Sequence, residues 1–116
     1  MELDETLADL RASLTEAMRE RDQPAVSALR AAISALENAQ AVPDDGARAG
    51  AIEQSPRGAG ATEVPRRHLT SHEVQFLIET EVDLREAEAT SCDRLGQHER
   101  AERLRAEADA LAPWTT

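Results

Sequence analysis

Apolar positions recur at helical spacing over most of this chain and vanish in its middle. Leu3, Leu7, Leu10, Leu14 and Met18 follow steps of 4, 3, 4 and 4, which lines one face of a helix over about 3–21. Asp22 has the chemistry of an N-cap, and Pro24 is tolerated in a first turn whose N–H groups lack partners anyway. Val26, Leu29, Ile33 and Leu36 then carry a second helix over about 23–42, flanked by Ala25, Ala28, Ala32, Ala35 and Ala39. So short a break between the two predicts an antiparallel hairpin.

Between Pro43 and His68 the periodicity collapses. These 26 residues hold four of the five glycines, three of the five prolines, and only Ile52 and Val64 as large apolar residues. Their four acids and four arginines cancel. The composition is that of a flexible linker over 43–68. Thr70-Ser71-His72-Glu73 then has the form of a capping box, with Leu69 and Val74 placed as a hydrophobic staple. A third helix over about 70–95 follows, burying Val74, Leu77, Ile78, Val82, Ala89, Cys92 and Leu95 and closed by Gly96. Ala101, Leu104, Ala108 and Leu111 line a fourth, about 97–112, stopped by Pro113. The expected fold is all-α: one four-helix domain, 1–116, of two helical hairpins joined by the linker.

Composition sharpens this. Of the 47 apolar residues 22 are alanine, leaving 25 larger ones to build the core. Such a core relies on close helix approach over small residues, and alanine is also the best helix former. The formal charge is −10, from 23 acids against 13 arginines, with no lysine. Lysine-based Schiff-base chemistry and the usual phosphate-binding loop are therefore excluded. A negative surface also repels phosphate backbones and anionic membranes. The single cysteine forms no intramolecular disulfide, the N-terminus is acidic rather than signal-like, and no apolar run approaches about 20 residues. A cytoplasmic protein without membrane contact is expected.

Candidate chemistry is sparse. His68 and His72 stand four apart, as helical metal ligands do, but the capping box leaves His68 outside the helix, and solvated histidines are expected. Glu79, Glu81, Asp83, Glu86 and Glu88 crowd helix 3; with Glu81 four before Arg85 in the favourable ion-pair order, they are expected to form a solvated charged face rather than an acid–base pair. Cys92 falls on the apolar stripe as a small hydrophobe, and Ser13, Ser27, Ser34 and Ser71 lack a nucleophile-elbow setting. No catalytic, cofactor-binding or metal-binding residue is assigned, and no cofactor. The basic features are Arg66-Arg67-His68 and, on helix 4, Arg100, Arg103 and Arg105. Of these, Arg66, Arg67, Arg100 and Arg103 are the candidate RNA contacts, although Phe76 and Trp114 are the only aromatics available for base stacking.

Two runs of motifs resemble a known family. Ala17-Met18-Arg19-Glu20-Arg21-Asp22 is followed by Ala28-Leu29-Arg30 and Glu37-Asn38-Ala39; Leu69-Thr70-Ser71-His72-Glu73-Val74 is followed by Glu81-Val82 and Arg85-Glu86-Ala87. In order and spacing, over 3–42 and 69–112, they resemble the GatB/YqeY family: stand-alone YqeY-like proteins and the helical tail of the B subunit of aminoacyl-tRNA amidotransferases. The resemblance implies a helical domain and an association with glutamine-dependent tRNA amidation, a carbon–nitrogen ligase activity whose catalysis belongs to other domains. Stand-alone members continue into a second, smaller lobe that, by this reading, is lacking after Thr116, and they carry lysines where this chain has arginines or acids. No catalytic or tRNA-contact residue is carried over. The expectation is a non-catalytic accessory or interaction domain with a protein partner, with homo-oligomerisation open. The alternative is a tRNA-binding module acting through Arg66, Arg67 and the helix-4 arginines.

Overall fold

The computed structural model describes residues 1–41 and 66–115. They form four helices and no strand: α1 (Leu3–Glu20), α2 (Gln23–Ala41), α3 (Ser71–Arg94) and α4 (His98–Ala110), with a short 3-10 turn at Ala112–Trp114. The fold is all-α. Residues 42–65, most of the expected linker, lie outside the described residues. At the linker's described end the chain is tied to α2, because the Arg67 N–H donates to the Gln40 carbonyl at 2.7 Å.

Each boundary follows from local chemistry. The Glu2 carboxylate accepts the Glu5 N–H at 3.0 Å and opens α1. α1 ends with Arg21 in the left-handed region (φ 58°). There the Asp22 N–H donates to the Ala17 carbonyl at 3.0 Å and the Arg21 N–H to the Met18 carbonyl at 3.2 Å, a Schellman closure with arginine where glycine is favoured. The Asp22 carboxylate then accepts the Ala25 N–H at 3.2 Å and starts α2. Both bonds of the capping box form at α3: the Glu73 N–H donates to Thr70 Oγ1 at 3.1 Å, and the Thr70 N–H to Glu73 Oε1 at 2.9 Å. Leu69 and Val74 are buried beside it, as a staple requires. Gly96, at φ 80°, closes α3, with the Gln97 N–H reaching the Cys92 carbonyl at 2.8 Å.

α2 is the central helix. It packs against α1, α3 and α4. Ala28 and Ala32 are fully buried on α2, where the absence of larger side chains lets its neighbours approach. Leu10, Leu36, Val74, Ile78 and Leu111 fill the main core. A second, smaller cluster of Ala89, Cys92, Ala101 and Leu104 closes the far end of the α3–α4 hairpin.

Two stripe assignments need correction. Met18 is 51% exposed, and Ala17 is buried in its place. Steps of four overshoot the 3.6-residue turn, so Met18 has rotated about 80° from Leu10 while Ala17 stays in line. Leu95 is 74% exposed, since the helix has already ended at the Gly96 turn. The expected solvated charged face is also only partly so: Asp83, Glu86 and Glu88 are exposed, but Glu79 and Glu81 are half-buried. Among the described residues no helix is long and apolar enough to cross a membrane.

Candidate interaction surface

The arginines proposed as RNA contacts lie at separate places. Arg66 donates from Nη1 to Gln40 Oε1 at 3.5 Å, at the end of α2. Arg67 pairs with Glu73 in the first turn of α3. The Glu73 carboxyl is held below its ordinary range by the Thr70 backbone N–H and by the Arg67 guanidinium, which both donate to it. Arg100 pairs with Glu88 at 2.7 Å, and this hydrogen bond raises the arginine's pKa. Glu88 lies 15 positions after Glu73 on the same helix, or about 22 Å along its axis. Arg103 stands 3.6 Å from Glu107, and Arg105 is 2.7 Å from Asp93. Asp93 is lowered by hydrogen bonds from His98 and then Arg105. Arg100 and Arg103 are neighbours on α4, but the four candidates do not converge on one patch, and Arg67, Arg100 and Arg103 each face a carboxylate.

One arginine sits deeper. Arg85, with only 13% of its side chain exposed, donates from Nε to Glu107 Oε1 and from Nη1 to Glu81 Oε1, both at 2.8 Å, and from Nη1 to the Glu81 carbonyl at 3.1 Å. Burial opposes its charge, but the hydrogen bonds to Glu81 and Glu107 outweigh that and leave its pKa raised. The Glu81–Arg85 pair was expected from the sequence, and Glu107 was not. The signal was present, because Glu107 shares the apolar face of Leu104, Ala108 and Leu111, where a lone charge demands a partner. The network is satisfied internally: among the described residues every buried side-chain nitrogen or oxygen has a hydrogen-bond partner. It ties α3 to α4.

Other chemistry-bearing side chains do not assemble. His68 and His72 are exposed, Cys92 is buried in the small cluster, and among the described residues no three His, Cys, Asp or Glu side chains could hold a metal. A shallow groove beside the α1–α2 turn is floored by Leu29 and Trp114 and edged by Glu16, Glu20 and Asp22. Asp22 already caps α2, and Glu16 lies 3.5 Å from Arg19.

What stands out is the outer face of α3. Phe76, Thr80, Leu84, Ala87, Ser91 and Leu95 follow steps of 4, 4, 3, 4 and 4 and stay within an arc of about 100°. None is charged, on a helix with charges at 73, 79, 81, 83, 85, 86, 88, 93 and 94. Phe76 is 61% and Leu84 60% exposed. Thr80 returns its hydroxyl to the Phe76 carbonyl at 2.8 Å. Beside this strip runs an acidic row, Glu79, Asp83 and Glu86, in which Gln75 donates to Glu79 at 2.9 Å. From the sequence, α3 was expected to be apolar on its buried side only. The second apolar strip was legible at the same helical spacing, and only the fold shows that, among the described residues, Phe76, Leu84, Ala87, Ser91 and Leu95 stay exposed.

Compared with family models, curated proteins and solved structures, the chain matches none.

Proposed function

We propose that this chain is a non-catalytic accessory domain of the GatB/YqeY type, presenting a helical surface to a protein partner in tRNA amidation or translation. The observation that carries the interaction reading is the strip from Phe76 to Leu95. Large apolar side chains left in water along five turns of a heavily charged helix favour burial against another protein. The buried Arg85 network supports a rigid platform, since it consumes its charges in fixing α3 against α4. The link to amidation rests alone on the two ordered runs of motifs, from Ala17–Asp22 to Glu37–Ala39 and from Leu69–Val74 to Arg85–Ala87.

A two-arm titration tests this reading. The full chain is titrated with purified aminoacyl-tRNA amidotransferase from the same host, and separately with tRNA at low and moderate salt. Saturable binding to the enzyme is expected, with tRNA binding that fades steeply as salt rises, because the helices carry 19 acids against nine arginines. Submicromolar, salt-tolerant, tRNA-selective binding would overturn it in favour of an RNA-binding module using Arg66, Arg67, Arg100 and Arg103. No binding to the enzyme would remove the amidation assignment.

A further inference from the structure

Resting on the reading of the domain as a protein-interaction module, we infer that the outer strip of α3 docks a basic amphipathic helix whose apolar seam covers Phe76, Leu84, Ala87 and Leu95.

The strip specifies its occupant in three ways. Its length, from Phe76 to Leu95, is about 28 Å, which suits a helix of five or so turns rather than a compact ligand. Its chemistry is a seam whose single charge is Arg94 in the last turn, so the occupant must supply apolar side chains at helical spacing, as in other helix-on-groove recognition. Its two borders differ in charge. On one side Glu88 is neutralised by Arg100 at 2.7 Å. On the other, Asp83 and Glu86 are exposed and have no ion pair among the described residues, next to Glu79. An occupant with arginines or lysines along that one edge meets unneutralised carboxylates; one with acids there is repelled. A second copy of this chain fits poorly. It would bring its own acidic row, and within the strip it offers only Arg94 as a cation, on a chain of formal charge −10.

The test uses the full chain and three dye-labelled synthetic peptides of about 20 residues, a length that spans the strip. One has a leucine seam with arginine along one edge. In the second glutamate replaces the arginine, and in the third serine replaces the seam leucines. Fluorescence anisotropy at physiological salt should show the leucine–arginine peptide binding at least about tenfold tighter than either control. Leu84→Ser, at an exposed position that leaves the core intact, should abolish the binding. Asp83→Asn with Glu86→Gln should bring the first two peptides close to equal affinity. Equal binding of the serine-seam peptide would reduce the effect to general attraction between opposite charges and overturn the proposal. So would sedimentation showing a dimer that Leu84→Ser dissociates, because the occupant would then be a second copy. If Leu84→Ser weakens binding to the purified amidotransferase while the peptides go undiscriminated, the inference on occupant chemistry fails and the proposed function stands. If the peptides discriminate and the amidotransferase does not bind, the reverse holds.

Discussion

The two ends of the α3–α4 hairpin are held by different physics. At one end Val74, Ile78 and Leu111 join Leu10 and Leu36 in a core fed by all four helices. At the other, Ala89 and Cys92 meet Ala101 and Leu104, a cluster to which, among the described residues, neither α1 nor α2 contributes. Between the two lies the Arg85–Glu107 pair, flanked along α3 by Ile78 and Ala89 and along α4 by Leu111 and Leu104. Leucine-sized side chains make the first end stable. Alanine and cysteine bring little apolar area to the second, so its register depends more on the ion pair, a device better suited to specifying alignment than to adding stability. A short apolar cluster can thus extend a helical pair beyond the core when a buried charge fixes the alignment.

The widest contrast should come from the main core. Leu36→Ala, at a fully buried position on the central helix, should cost about 2–5 kcal/mol and lower the urea midpoint for the whole domain. A shift confined to α1 and α2 would break the picture of one shared core. Glu107→Ala should come next, at about 2–3 kcal/mol, less than the full cost of orphaning a buried charge because Glu81 still pairs with Arg85. Its distinctive sign should be faster amide exchange over 86–104 with the core amides still protected. Uniform acceleration would mean that the pair supports both ends alike.

Smaller effects sharpen the same contrast. Arg21→Gly should stabilise the domain by about 1 kcal/mol, as glycine accepts the positive φ that arginine resists, and thermal unfolding would register it. Acidification should act at Glu73 and Asp93, one near each end of the hairpin. Both carboxyls are lowered in the folded state, from ordinary values of 4.5 and 3.8. Their contributions are therefore present above those values and lost as pH falls through the folded ones. Carboxyl chemical shifts followed from pH 6 downward should show these two titrating below their ordinary values. Titration at the ordinary values would mean that the Thr70 cap and the His98 and Arg105 contacts do not persist in solution.

Local physics fixed much of the fold in advance. Thr70 and Glu73 bond to each other within one turn, Gly96 needs only its own backbone freedom, and the stripes of α2 and α4 follow from helical period alone; all are properties of neighbouring residues and can be read from a one-dimensional string. Rotation accumulates along a helix, so the α1 stripe was right at Leu10 and wrong at Met18, where a step of four drifts out of line. Partners distant in sequence could not be read in the same way. Glu107 reaches Arg85 across 22 positions, and nothing nearby names its partner, although its place on an apolar face required one. The surface proposed for docking is of this second kind. The residues from Phe76 to Leu95 are spaced for burial by their sequence, and α3 has two apolar faces to offer. Only packing decides which face goes inside: α2 and α4 take the side of Val74, Ile78 and Ala89, and a helix cannot turn both sides to the same neighbours.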